Sequence, residues 1–282
     1  MQKLTLTFAA LALMPALTFA QPPGWVDPFP PHKIMDNVYY VGTTQLASYL
    51  VTTPEGLILM STNYEASVPV IEAAVKQLGF NFKDIKILIS GHAHPDHIEG
   101  DPLVKEMTGA QVVVGRLEVP DVKAFKNPKG KVQPIDRIID DGETVSLGGI
   151  TLTAHVMPGH TKGCIAWTMP MTENGKEYKG LFECSLNSQA IKYVDNTGYP
   201  NIVEETRATF KKAHAMQVDV LLSSHGVFYG LDAKYEKLKN RKAGDANPFV
   251  VTPAEYQAHV DEFEQKFEAA VAKQEAEAKA SK

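Results

Sequence analysis

The sequence predicts a single α/β domain arranged as a four-layer αββα sandwich. Three observations lead there: the chain length left after a hydrophobic N-terminal segment, two successive blocks of strands followed by helices, and histidines placed where strands end. A chain of 282 residues that is 44% hydrophobic carries enough apolar material for one large core, and single α/β domains reach roughly 200–250 residues. Two strand-then-helix blocks bury their apolar faces by stacking the sheets face to face with helices outside. No short fixed period repeats along the chain, which argues against a solenoid.

The first twenty residues stand apart from this domain. Lys3, the apolar run Leu4 to Leu17 and the small-residue end Thr18-Phe19-Ala20 read as a signal peptide (residues 1–20) with cleavage after Ala20. The run is too short for a convincing membrane span; an uncleaved anchor is the alternative. Residues 21–282 are therefore expected as a periplasmic or secreted domain, free of the membrane after cleavage and monomeric. A net charge of −5 and no basic stripe exclude nucleic acid as a partner.

After a Pro-rich lead-in (Gln21 to Pro31), Val38 to Val41, Ala47 to Thr53 and Leu57 to Ser61 read as strands, separated by Gly42 and by Pro54-Glu55-Gly56. Pro69 to Leu78 has the helical spacing Val70, Ile71, Ala74, Val75, Leu78 and stops at Gly79. Ile85 to Ile89 is a buried strand. The second block has strands at Arg137 to Ile139, Thr144 to Leu147, Ile150 to Met157, Cys164 to Met169 and Gly180 to Ser185, the last two joined by the hairpin signal Asn174-Gly175. A helix from Asn201 to Met216 leads to the strand Val218 to Ser223. From Pro253 the stripe Val260, Phe263, Phe267, Val271 marks a helix that packs on the body, and Gln274 to Lys282 is expected to be a solvated helix end or a frayed tail. The two cysteines, Cys164 and Cys184, are too few for a disulfide framework or a Cys-rich zinc module. They flank the Asn174-Gly175 hairpin and could pair across it, but two free thiols are the simpler expectation.

The densest chemistry lies in His92-Ala93-His94-Pro95-Asp96-His97. On an extended strand end His92 and His94 point to one side; Pro95 then turns the chain and presents Asp96 and His97 to a second point a few ångströms away. Neutral imidazole and carboxylate at this spacing suit a divalent cation, zinc above all; a solvated His-rich loop is the bland alternative. His160, in Pro158-Gly159-His160-Thr161, and His225, in Ser223-Ser224-His225-Gly226, also follow apolar strands and can join the same sheet edge. The ligands then divide as His92, His94 and His160 for one zinc, and Asp96, His97 and His225 for the other. Two Zn²⁺ per chain, each with three protein ligands, leave positions open for water and substrate, as catalytic zinc requires. His32, His155, His214 and His259 fall outside this pattern and are read as structural or solvated.

His-x-His-x-Asp-His at residues 92 to 97, Pro-Gly-His-Thr at His160 and Ser-His-Gly at His225, in this order, resemble the metallo-β-lactamase superfamily over essentially the whole mature chain. The resemblance implies the metallo-β-lactamase fold and a hydrolase. In most of that superfamily a metal-bridging Asp follows the strand that here reads Leu181 to Ser185; Ser185 stands in its place, with Cys184 beside it as the alternative occupant. That substitution, with Leu46 to Gly56, His160 to Cys164 and Ala246 to Phe249, is similar to class B β-lactamases of subclass B3. It implies opening of the β-lactam ring of penicillins, cephalosporins and carbapenems by zinc-activated water, with Asp96 as ligand and proton handler. Ser185, Asn187 and Gln45 are candidates for holding the substrate, and Glu183 to Gln189 is expected to line its cleft. Met60-Ser61-Thr62-Asn63 departs from the Asp-Thr-Gly of many members. The same fold also serves esters, lactones and thioesters, which is the alternative reading; an iron-dependent sulfur dioxygenase and a non-catalytic zinc protein are further ones.

Overall fold

The computed structural model describes residues 22–187 and 190–281; the expected signal peptide and residues Ser188 and Gln189 of the expected cleft-lining stretch lie outside them. The first sheet begins as an antiparallel meander of β1 (His32–Met35), β2 (Val38–Tyr40), β3 (Tyr49–Thr53) and β4 (Gly56–Met60). Helix α1 (Val68–Gln77) crosses to β5 (Ile85–Ile89), which runs parallel to β4. Helices α2 (Pro95–Ile98) and α3 (Asp101–Thr108) lead to β6 (Gln111–Gly115), and α4 (Val119–Ala124) leads to β7 (Arg137–Ile139), both parallel additions. Sequence order equals spatial order in this seven-stranded sheet.

The second sheet contains β8 (Thr144–Leu147), β9 (Ile150–Val156), β10 (Ile165–Glu173) and β11 (Lys176–Glu183), each antiparallel to the one before. Asn174 and Gly175 both take positive φ, as the two-residue hairpin turn between β10 and β11 demands. Helix α5 (Ile202–Ala215) then crosses to β12 (Val220–Ser223), parallel to β11. Helices α6 (Gly226–Tyr229), α7 (Leu231–Lys239) and α8 (Pro253–Ala280) complete the described chain. None of these helices is long and apolar enough to cross a membrane.

Side-chain alternation sorts the first sheet into two cores. Val51, Ile58, Met60, Ile87 and Ile89 face the second sheet and meet Leu152, Ala154, Trp167 and Phe182 there. Leu50, Leu59, Leu88, Val112 and Val114 face outward onto Ile71 and Val75 of α1 and Val104 of α3. The period of two along each strand thus becomes the layer order of the sandwich. On the other side Phe210 of α5 and Val260 and Phe267 of α8 belong to the core of the second sheet.

Two expectations are sharpened or corrected here. Of the helix end and the frayed tail expected for Gln274 to Lys282, the described residues to Ser281 form the helix end and not the frayed tail: α8 continues to Ala280, because its residues are strong helix formers and because Gln274 docks onto the backbone of Ile191, Tyr193 and Val194. Cys164 and Cys184 are not free thiols: they form a disulfide with a Cα–Cα distance of 5.9 Å, because the β10–β11 hairpin brings both to its open end at bridging distance. Sequence reading also passed over β6 and α3. Asp101-Pro102 looks like a break, yet proline at the first turn of a helix starts one.

The topology decides where the site lies. β9, β11 and β12 share one direction, so the chain following each emerges at the same edge of the second sheet: His160 after β9, Cys184 and Ser185 after β11, His225 after β12. The chain leaving β5 is fastened to that edge. The Trp167 indole Nε1 donates to the Ser90 carbonyl at 3.0 Å, the Ile165 amide donates to Gly91 at 2.7 Å, and the Tyr49 hydroxyl donates across the sheets to Ser223 at 2.7 Å.

Candidate metal centre

His92 and His94 leave the sheet earlier than the sequence suggests, since β5 ends at Ile89 and residues 90 to 94 form an irregular loop. Their rings still converge, with centroids 4.6 Å apart. His94 is the extended N-cap of α2, and Pro95, at the first helical position, starts the turn that carries Asp96 and His97. A one-turn helix, not a bare loop, therefore presents these two side chains, and the His97 amide donating to the His94 carbonyl at 3.0 Å locks it.

Two groups of ligand-capable atoms result. His92, His94 and His160 form one, and Asp96, His97 and His225 the other; within each, the ligand atoms lie within 4.8 Å of one another. His160 Nε2 faces His94 Nδ1 at 3.2 Å, and Asp96 Oδ2 lies 3.3 Å from His97 Nε2 and 3.4 Å from His225 Nε2. The groups are contiguous, for the rings of His92 and His97 are 4.3 Å apart.

The environment favours the neutral form of four of these imidazoles. Burial, reinforced by the neighbouring histidines, places His92 well below the ordinary imidazole value. Burial likewise brings His97 down to about 3, and His160 and His225 each to about 4. Neutral imidazole is the form that ligates metal. Moreover, His92 Nε2 and both ring nitrogens of His97 are buried without a hydrogen-bond partner. Orphaned buried polar atoms cost about 1–3 kcal/mol each, and cations held by these histidines and the carboxylate would satisfy His92 Nε2 and one ring nitrogen of His97. Borderline N/O donors in threes fit zinc.

Neighbouring groups aim the ligands. The Asn187 backbone carbonyl accepts from His160 Nδ1 at 3.4 Å, leaving Nε2 toward His94. Asn187 thus reaches the site through its main chain, and its amide donates to the Ser185 hydroxyl at 3.3 Å. Ser185 is buried directly after the disulfide. Gln45 precedes Leu46, which pairs with His225 in an isolated bridge, and its carbonyl accepts from the Gly226 amide at 3.2 Å. In the segment following β4, Thr62 Oγ1 donates to buried Asp101 at 2.7 Å while the Thr62 amide donates to the His97 carbonyl at 3.1 Å.

The remaining histidines sit away from both groups. His32 stacks on Tyr40, His155 meets Thr168 Oγ1 at 2.7 Å, and His214 bonds Gln257 and Glu264. His259 has the structural role of the two expected: its Nε2 lies 2.7 Å from the buried Glu183 carboxylate, and Glu183 also accepts from Ser223 Oγ, two residues before His225. Sequence reasoning missed Trp25, whose ring lies 5.9 Å from that of His225 and stacks on Tyr64 at 6.0 Å. A tryptophan inside a Pro-Gly lead-in was its only signal.

Comparison with known proteins agrees with this geometry. The profile of the metallo-beta-lactamase superfamily matches residues 41–172. Among solved structures, the FEZ-1 metallo-beta-lactamase from Legionella gormanii is similar at 39% identity and a TM-score of 0.83, covering 90% of this chain and 99% of that one. BJP-1, a subclass B3 metallo-beta-lactamase of Bradyrhizobium japonicum, is similar at 38% identity and a TM-score of 0.83, covering 90% and 98%. A hydroxyacylglutathione hydrolase of Hyphomonas neptunium is 33% identical over 129 residues, 44% of this chain and 43% of that protein. The chain spans less than half the length of the curated relatives it matches. Fold, donor set and full-length structural likeness converge: the donor set is that of a zinc-dependent hydrolase, and the chain belongs to the metallo-beta-lactamase superfamily.

Proposed function

We propose that this protein is an exported, monomeric β-lactam hydrolase that holds two zinc ions, the first on His92, His94 and His160 and the second on Asp96, His97 and His225. The observation that carries the reading is the coincidence of both ligand groups with a likeness to metallo-beta-lactamases that extends over nine-tenths of the chain. The sequence of residues 1–20 supports export to the periplasm or beyond, where antibiotic resistance is the expected consequence.

Zinc in such a site lowers the pKa of water to about 7 and polarises a carbonyl. The chain's residues do the rest. His92, His97, His160 and His225, whose burial favours the neutral form, add no positive charge and leave the cations electrophilic. Asp96 sits between His97 and His225, and its carboxylate can take the proton of the attacking water and return it to the departing lactam nitrogen. Water adds across the C–N bond, giving one carboxylate and one secondary amine. Ser185, Asn187 and Gln45 are proposed to contact the substrate carboxylate or carbonyl: the Asn187 carbonyl accepts from His160, the Asn187 amide donates to Ser185, and the Gln45 carbonyl accepts from the Gly226 amide beside His225.

A thioester hydrolase is the second reading, favoured by the likeness to hydroxyacylglutathione hydrolase. That likeness covers under half of the chain, against nine-tenths for the β-lactamases. Purified protein loaded with zinc decides between them. Hydrolysis of nitrocefin and of a penicillin, a cephalosporin and a carbapenem, with slower turnover of a lactone and of S-lactoylglutathione, is expected; turnover of the thioester alone overturns the β-lactam reading. His160→Ala is expected to lower zinc content and abolish hydrolysis.

A further inference from the structure

Glu118 lies in the turn before α4, outside both ligand-bearing loops, and its side chain is buried. Its carboxylate nevertheless meets three donors. Oε2 accepts from the Ala93 amide at 2.5 Å; Oε1 accepts from the Thr161 hydroxyl at 2.7 Å and from the Gly163 amide at 2.8 Å. Ala93 is the residue between His92 and His94, and Thr161 directly follows His160. One carboxylate therefore grips both loops that supply the first ligand group.

We propose that Glu118 is a positioning residue for the first zinc: it fixes the separation of the His92–His94 loop from the His160 loop, and so the affinity and geometry of that site. The inference rests on reading His92, His94 and His160 as a metal set. Each carboxylate oxygen faces a backbone N–H, an arrangement that only an acceptor on both sides satisfies. An amide nitrogen in either position would confront a donor, so Glu118→Gln breaks the clamp while nearly preserving shape. The approach of the second loop is close enough to exclude any side chain: a Cβ on Gly163 would stand 2.7 Å from the Glu118 amide nitrogen and 2.8 Å from both Oε1 and the Leu117 carbonyl carbon. Hydrogen bonds to a buried charge are stronger than neutral ones, and partners that orient metal ligands commonly change metal affinity 10–100-fold.

The test measures zinc dissociation constants by chelator competition on purified wild type, Glu118→Gln, Glu118→Asp, Thr161→Val and His160→Ala, with circular dichroism and thermal melting of the metal-free proteins as the control for folding. Wild type is expected to hold two zinc ions. Glu118→Gln is expected to weaken one of them at least tenfold while the other changes less than threefold; Glu118→Asp, charged but too short to span both loops, is expected in between. The cobalt(II) absorption spectrum of Glu118→Gln should differ from wild type in the bands that His160→Ala removes. Folded Glu118→Gln with two wild-type affinities overturns the proposal and leaves the two-zinc reading standing. A wild type that binds no zinc tightly overturns both. If Glu118→Gln does not fold, Thr161→Val decides by the same measure: a loss of threefold or more at one site supports the clamp, and unchanged affinities overturn it.

Discussion

Cys184 Sγ lies 3.3 Å from Nδ1 of His92, so the disulfide touches the back of a candidate ligand. A disulfide sulfur carries no proton, and the contact is therefore a donation from His92 Nδ1–H. That assignment leaves Nε2, the orphaned nitrogen, with its lone pair toward the ligand group. The cross-link closes a sequence separation of 20, for which chain-entropy arguments give about 3 kcal/mol. The double variant Cys164→Ser/Cys184→Ser is expected to lose about that much stability in urea unfolding and to release zinc faster to a chelator; equal midpoints would show the bridge to be dispensable.

Asp96→Asn keeps the size of the side chain and a ligating oxygen but removes the charge and the proton-accepting role. It is expected to lower kcat by about 10²–10⁴, the range of general acid–base contributions, with a smaller change in KM. Steady-state kinetics on protein of verified zinc content checks this, and a pure KM effect would reassign Asp96 to substrate binding.

Acid should destabilise the metal-free protein. In the unfolded chain histidines protonate near pH 6.5, whereas in the fold His160 and His225 resist protonation down to about 4 and His97 to about 3 because they are buried. The unfolded state thus binds more protons below pH 6.5, and stability falls as pH drops from there toward 4. Melting temperatures of chelator-treated protein between pH 7 and 5 are expected to fall, and zinc content to fall over the same window as protons compete for the imidazoles.

Asp101 has the opposite sign. Burial pushes its carboxyl up to about 7 against the pull of the Thr62 hydroxyl. The folded state therefore binds the extra proton between about pH 4 and 7, and its stability is lost as pH rises through that range. Asp101→Asn retains an acceptor for Thr62 and carries no charge. It is expected to raise stability at pH 8 by roughly 1–3 kcal/mol and by a smaller amount at pH 5, where only the first part of the loss has occurred, measured by urea unfolding at both values.

Much of this centre was legible in the sequence because its ligands cluster locally or follow strands. His92 to His97 sit within six residues, and His160 and His225 each follow an apolar strand beside glycine, so the convergence of parallel strand ends could be inferred. Glu118, Trp25 and Asp101 were not legible. Each acts through a contact made by tertiary packing: Glu118 meets Thr161 across 43 positions and Asp101 meets Thr62 across 39. No local pattern announces a partner that far away. The disulfide was only half legible, since Asn174-Gly175 predicted the hairpin but a hairpin alone does not oblige its two cysteines to oxidise.

Each ligand group draws on both sheets: His92, His94, Asp96 and His97 follow β5 of the first, while His160 and His225 follow strands of the second. A fragment ending before β8 would own four ligands and a fragment starting there only two, and neither would own a complete set. On the proposed two-zinc reading, tight zinc binding requires both halves of the chain, and a split version would report reassociation through the return of that binding.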